Sequence, residues 1–150
     1  VQNNKTNIIM YQLSERSLNN LKGVHPNLVK VMKEAISNSP VDFTITEGVR
    51  TIQRQQELYA LGRTKPGQKV TNADGIKNRS NHQTKSDGYG YAVDLYPFFL
   101  GKVQVNHPDT IKNLKRIADH IKEIANKLGV KIVWGGDWQK PYDPPHFQLA

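Results

Sequence analysis

Residues 91–128 read YAVDLYPFFLGKVQVNHPDTIKNLKRIADHIKEIANKL, and within this stretch the apolar spacing changes from strand to helix. Over 91–98, alternation places Val93 and Leu95 on one face and Ala92, Asp94 and Tyr96 on the other, which predicts a strand. Over 109–128, Ile111, Leu114, Ile117, Ala118, Ile121, Ile124, Ala125 and Leu128 share one side of a helix, and Gly129 supplies its stop. Downstream, 131–134 and 146–149 predict short strands around the turn-rich GGDWQKPYDPP. Upstream, RTKPGQKVTNADGIKNRSNHQTKS (63–86) has almost no apolar period and reads as a long functional loop. Before it come a helix over 51–61 ended by Gly62, a half-buried strand over 42–46 and an amphipathic helix from Pro26 to about Asn38. Residues 1 to 9, VQNNKTNII, carry no period and are expected to be a disordered leader or remnant, with 10–150 as one compact catalytic or binding domain. This order predicts an α+β fold, a small antiparallel sheet flanked by about three helices in a single domain.

At 150 residues the chain has the size of one domain able to bury its own core. With no cysteine, a disulfide framework and thiolate chemistry are excluded, and any metal site must use His, Asp or Glu. No apolar run approaches the ~18 residues of a membrane span, and no leader of the secretory type is visible. The formal charge of +8 favours polyanions, although the basic residues, among them Lys112, Lys115, Arg116, Lys122 and Lys127, are scattered. A non-catalytic polyanion or nucleic-acid binder is therefore an alternative. It lacks a nucleic-acid motif and aromatic residues interleaved with the basic ones, so no specific nucleic-acid partner is expected. No internal repeat suggests a solenoid.

Asp94 is the most informative residue, because a carboxylate inside an apolar strand is costly unless paired or metal-bound. Taken alone it is also read as an Asp on a solvated sheet face or as a partner for a Lys. His82, in RSNHQ, lies upstream of the same strand, and His146 opens the terminal one. Together, two His and one Asp at element edges make the ligand set of an open catalytic zinc site. The helical H-E-x-x-H pattern is absent, which excludes a thermolysin-like site. In Tyr142-Asp143-Pro144-Pro145-His146 each proline favours extended backbone before it. A polyproline II run would point Asp143 and His146 the same way, roughly 9 Å apart at the backbone. Asp143 would then suit a general base beside a metal held by His146. A stiff turn with a solvated Asp is the other reading of the diproline.

These residues resemble the zinc peptidases that include D-alanyl-D-alanine carboxypeptidases and the L-alanyl-D-glutamate endopeptidases of phage endolysins. The family pattern S-x-H, G-x-A-x-D and a late acidic residue before His is matched by Ser80-Asn81-His82, Gly90-Tyr91-Ala92-Val93-Asp94 and Asp143-Pro144-Pro145-His146. The segments GVRTIQRQQELYALGRTKPGQKVTNADG and WGGDW resemble the L-alanyl-D-glutamate branch, and the similarity covers nearly everything after Met10. The resemblance implies a Zn2+ cofactor held by His82, Asp94 and His146, with Asp143 as catalytic base. It further implies that Arg50 binds a substrate carboxylate or stabilises the oxyanion. Peptidoglycan is the implied substrate, and the D-alanyl-D-alanine carboxypeptidase is the nearest alternative. Eleven residues separate His82 from Asp94, more than is usual in the family, and Gln83 to Gly88 is expected to bulge out as a loop.

An endolysin of this kind is expected to be a monomer made in the host cytoplasm and acting in the periplasm or wall. Its basic surface would add weak attraction to the anionic envelope. His25, His107 and His120 are expected to be solvated. Asp137 is read as a ligand-supporting or a turn residue, and Tyr89, Trp138 and Tyr142 as groove or packing residues; substrate-binding residues are otherwise unassigned.

Overall fold

The computed structural model describes residues 10–150, so the reading of residues 1 to 9 lies outside the described residues. Four helices and five strands follow one another as α1 (Glu15–Asn20), α2 (Pro26–Ser37), β1 (Phe43–Glu47), α3 (Ile52–Ala60), β2 (Ala92–Phe99), β3 (Lys102–Val103), α4 (Thr110–Leu128), β4 (Ile132–Trp134) and β5 (His146–Leu149). A 3₁₀ turn, Gly135–Asp137, follows β4. The strands pair antiparallel in the order β1-β2-β5-β4, with β3 folded back on the end of β2. The expected α+β architecture is present. The additions are α1 and β3, both too short to show a period in sequence.

One face of the sheet is dry. Ile45, Val93, Leu95 and Phe147 point toward Leu28, Val31, Met32 and Ala35 of α2 and Leu114, Ile117, Ala118 and Ile121 of α4, all buried in one cluster. The stripe on α4 thus spends its apolar side on the sheet and on α2. Gly129 ends α4 in the left-handed conformation at φ 72°, where its N–H reaches Ala125 O and Asn126 O. In α1 the apolar signal is replaced by polar ties, with Ser17 Oγ accepting from Ile45 N at 2.9 Å and Asn20 Nδ2 donating to Ile45 O at 2.8 Å.

The opposite face carries the chemistry, because strand alternation sends Asp94 and His146 away from the core that Leu95 and Phe147 enter. A bulge in β1 adds to it. Ile45 pairs with Leu95 but Glu47 pairs with Asp94, so the extra residue Thr46 shifts the register by one. In an unbroken ladder Thr46 would face Asp94; the bulge sends Glu47 there instead. Loop 61–91 covers this face. Two buried glutamines hold it in place, Gln55 of α3 with its Nε2 donating to Ala73 O at 2.8 Å and Gln83 of the loop with its Nε2 donating to Gly75 O at 3.0 Å.

Candidate metal centre and active site

Asp94 and His146 are direct cross-strand partners on β2 and β5, which places their side chains together on the open face. His82 comes from the loop, where Ser80 Oγ accepts from its N–H at 3.1 Å and its carbonyl accepts from Arg50 N at 2.8 Å. The long spacing between His82 and Asp94 is absorbed by an exposed loop from Thr84 on, whereas Gln83, expected to bulge out with it, is buried. Residues 84–89 are exposed, and the chain returns through a bridge between Thr84 and Gly90.

The ring orientations follow from hydrogen bonds on the far side of each imidazole. His82 Nδ1 lies 2.9 Å from Gly48 O, so it carries the proton and leaves Nε2 bare toward Asp94 Oδ1 at 3.3 Å. Position 48 admits only glycine, since a Cβ there would stand 1.8 Å from Asn20 O. His146 is turned the other way. Its Nε2 lies 2.7 Å from Gln148 Oε1, an acceptor, and Nδ1 faces Asp94 Oδ1 at 3.5 Å. Three electron-pair donors therefore converge, with the ligand atoms of His82, Asp94 and His146 all within 4.8 Å of one another.

Asp94 Oδ1 is buried and has no hydrogen-bond partner, because neither imidazole has a proton to offer it once its other nitrogen donates. An orphaned carboxylate oxygen facing two bare imidazole nitrogens is unfavourable unless a cation sits among them. The wider charge balance agrees, since Glu47, Asp94 and Asp143 line the same cleft as Arg50. Burial opposes the charge on Asp94, but the His146 and His82 rings, when protonated and so standing in for a cation, outweigh it and hold the carboxyl well below its ordinary range. Burial likewise works against a charged His146, but Asp94 prevails and raises it. The pocket is built for positive charge, and the donor set fits zinc with one position left open.

Asp143 stands at the rim, its Oδ2 3.8 Å from His146 Nδ1. Burial first, and the Asp94 charge second, raise its carboxyl above the ordinary range, making it the better proton acceptor of the two. The backbone reading of this segment needs correcting. Residues 143–146 form a turn closed by His146 N–H to Asp143 O at 3.1 Å, not an extended polyproline run. Tertiary bonds override the local preference: Trp134 Nε1 donates to Pro144 O at 2.6 Å, Leu95 N to Pro145 O at 2.9 Å and Asp143 N to Gly135 O at 3.0 Å. The two side chains still face one site.

Arg50 is held flat. Its Nε and Nη2 fork onto Glu47 at 2.9 Å each and its Nη1 donates to Gln55 Oε1 at 2.9 Å, with Nη2 3.6 Å from Asp94 Oδ2. One proton on each terminal nitrogen remains for a substrate oxygen. Sequence reasoning missed Glu47 and Gln55, which hold this arginine, and Gln148, which turns His146. Gln148 was within reach, since it lies two residues beyond His146 on the same strand face.

The other candidates settle as follows. His120 Nε2 bonds Ala35 O at 2.9 Å and so joins α4 to α2, where a solvated ring had been expected. His25 caps α2 through Asn27 N and packs edge-on against Tyr89 and Tyr91. His107 accepts from Asp109 N and packs on Phe99. Asp137 pairs with Lys122 at 2.6 Å and does not line the cleft of His82, Asp94 and His146. Trp138 tilts against the His146 ring at 5.2 Å between centroids and lines the cleft.

Comparison with known proteins places the chain among peptidases of the bacterial wall. A family model described as phage L-alanyl-D-glutamate peptidase matches residues 9–146. The chain is 37% identical over 123 residues to the peptidoglycan L-alanyl-D-glutamate endopeptidase CwlK of Bacillus subtilis, covering 79% of this chain and 66% of that protein. It is 29% identical over 133 residues to the L-alanyl-D-glutamate peptidase of Escherichia phage T5, covering 89% and 85%. Among solved structures, the L-Ala D-Glu endopeptidase ChiX of Serratia marcescens superposes with a TM-score of 0.73 at 33% identity, covering 98% of this chain and 94% of that one.

Proposed function

Because the chain belongs to the phage L-alanyl-D-glutamate peptidase family, we propose that it hydrolyses the L-alanyl-D-glutamate bond in the stem peptide of bacterial peptidoglycan, as a phage or prophage endolysin. The observation that carries this reading is the convergence of His82 Nε2, His146 Nδ1 and the partnerless Asp94 Oδ1 in a cleft that also holds Asp143. His82, Asp94 and His146 would hold zinc, which when bound would supply a Lewis acid that polarises a carbonyl and eases the ionisation of water. Asp143 takes the proton from the attacking water and afterwards returns it to the leaving amine. Arg50, kept in place by Glu47 and Gln55, offers its remaining protons to the oxygen that gains charge.

Two features support an endopeptidase over the related carboxypeptidase. Both curated relatives and the superposed structure bear the endopeptidase or peptidase name for the L-alanyl-D-glutamate bond. The cleft also adjoins two further hollows, one sharing Arg79, Ser80 and Asn81 with it and the other sharing Val70, Pro141 and Asp143. A substrate with chain on both sides of the scissile bond needs such an opening. The place of action is the bacterial wall, and no helix among the described residues is long and apolar enough to cross a membrane.

Digestion of purified peptidoglycan followed by mass spectrometry of the soluble fragments tests the bond. New D-glutamate amino termini are expected, with L-alanine left on the glycan. Free D-alanine as the sole product would instead establish the carboxypeptidase.

Gln148 gives a second expected outcome. Its Oε1 accepts from both His146 Nε2 and Asn81 Nδ2, at 2.7 and 3.0 Å, which fixes the tautomer that presents Nδ1. Gln148→Leu keeps the bulk but removes the acceptor, and zinc affinity should fall about 10-fold or more, as for other residues that orient a ligating imidazole. Competition with a chromophoric chelator measures it, and unchanged affinity would mean that His146 is oriented by packing alone.

A further inference from the structure

The two arms of the cleft differ in chemistry. One arm is the hollow lined by Arg79, Ser80, Asn81, Thr84, Lys85 and Ser86, and it joins the central cleft through Arg79, Ser80 and Asn81. No carboxylate lines it. Arg79 is anchored to the exposed loop after His82, its Nη2 donating to Thr84 O at 3.1 Å, and Lys85 Nζ stands 4.5 Å over the Tyr91 ring. Neither cation is paired with an acid among the described residues. The nearby Asp87 is already engaged by the Tyr91 hydroxyl at 2.6 Å and by Tyr89 N–H at 3.0 Å. The other arm, beyond Asp143, is lined by Lys69, Val70, Pro141 and Tyr142, and there a single cation, Lys69, shares the lining with the carboxylate of Asp143. Val70 and Tyr142 are exposed apolar surface, 58% and 54% accessible.

The substrate of the proposed function is equally lopsided. On the L-alanine side lie a methyl group and then the glycan, with no free carboxylate. On the other side, D-glutamate keeps one free carboxylate after its second carboxyl is used in the chain, and the peptide beyond it ends in another. We propose that the cleft has a fixed direction, with the Arg79–Lys85 arm binding the carboxylate-bearing D-glutamyl side and the Val70–Tyr142 arm taking the L-alanyl and glycan side. The inference rests on the proposed endopeptidase activity. It assigns the long loop between His82 and Asp94 a specificity role, because that loop supplies Thr84, Lys85 and the carbonyl that anchors Arg79.

Two soluble stem peptides test it, one with the free D-glutamate α-carboxylate and one with that carboxylate converted to its amide. With zinc-loaded wild-type protein at low salt, the free carboxylate should lower KM by about tenfold, the scale of two exposed charge contacts. The advantage should shrink as salt is added. R79Q/K85Q should lose it while keeping zinc content and kcat, and K85Q alone, which leaves the Arg79 anchor in place, should lose part of it. Y142A should leave the ratio of the two KM values unchanged. Equal KM for both peptides in the wild type, or a ratio that moves with Tyr142 and not with Arg79 and Lys85, overturns the direction while the proposed function stands. A wild-type protein that cuts neither peptide at the L-alanyl-D-glutamate bond overturns both.

Discussion

Asp94→Ala is expected to leave the protein folded, without stoichiometric zinc and without hydrolytic activity. Removing the only carboxylate of the cluster leaves His82 and His146 as two neutral ligands, too few for the three-ligand sites that hold catalytic zinc. The fold should tolerate the change, because Asp94 lies on the side of β2 away from the core and its buried Oδ1 has no hydrogen-bond partner to lose. His82→Ala and His146→Ala should have the same effect on metal. Elemental analysis of the purified variants, with far-ultraviolet circular dichroism as the control for folding, reads the outcome. A variant that keeps a full equivalent of zinc and full activity removes that residue from the ligand set.

The second large effect separates proton transfer from metal binding. Asp143→Asn preserves shape and hydrogen-bonding reach but cannot accept a proton. Activity should therefore fall by at least the ~10²-fold typical of general-base catalysis. Zinc should stay, since the proposed ligands keep their tautomers through Gly48 O and Gln148 Oε1, neither of which touches Asp143. Loss of zinc together with activity would make Asp143 a ligand.

The elements visible in the sequence were those whose burial is periodic. The stripe of α4 and the alternation around Asp94 fix the side of the core, and with it the open face on which Asp94 and His146 meet. His82 was legible only as a motif residue, since its position depends on tertiary bonds from Gly48 and Arg50 that no local spacing encodes. The bulge at Thr46 was hidden for a similar reason. A one-residue register shift leaves the apolar pattern of FTITE unchanged, yet it decides that Glu47 reaches Asp94 and grips Arg50. In the diproline turn, local backbone preference gave way to three long-range hydrogen bonds, so the facing of Asp143 and His146 was read correctly from the wrong backbone.

The rival reading of a polyanion binder rested on net charge, and the arrangement of polar groups gives that charge a narrower use. The interior of the cleft carries three carboxylates, Glu47, Asp94 and Asp143, interleaved with Arg50 and Arg79, and the hollow without any carboxylate lies only at the Arg79–Lys85 end. A nucleic-acid groove would show basic groups along its length.

The most direct test of the account is the dependence of wall digestion on metal. Protein stripped with a strong chelator and dialysed free of it should release no L-alanyl-D-glutamate fragments. Stepwise addition of zinc should restore cleavage in proportion to bound metal, saturating at one equivalent per chain. Undiminished cleavage by the metal-free protein would contradict the account.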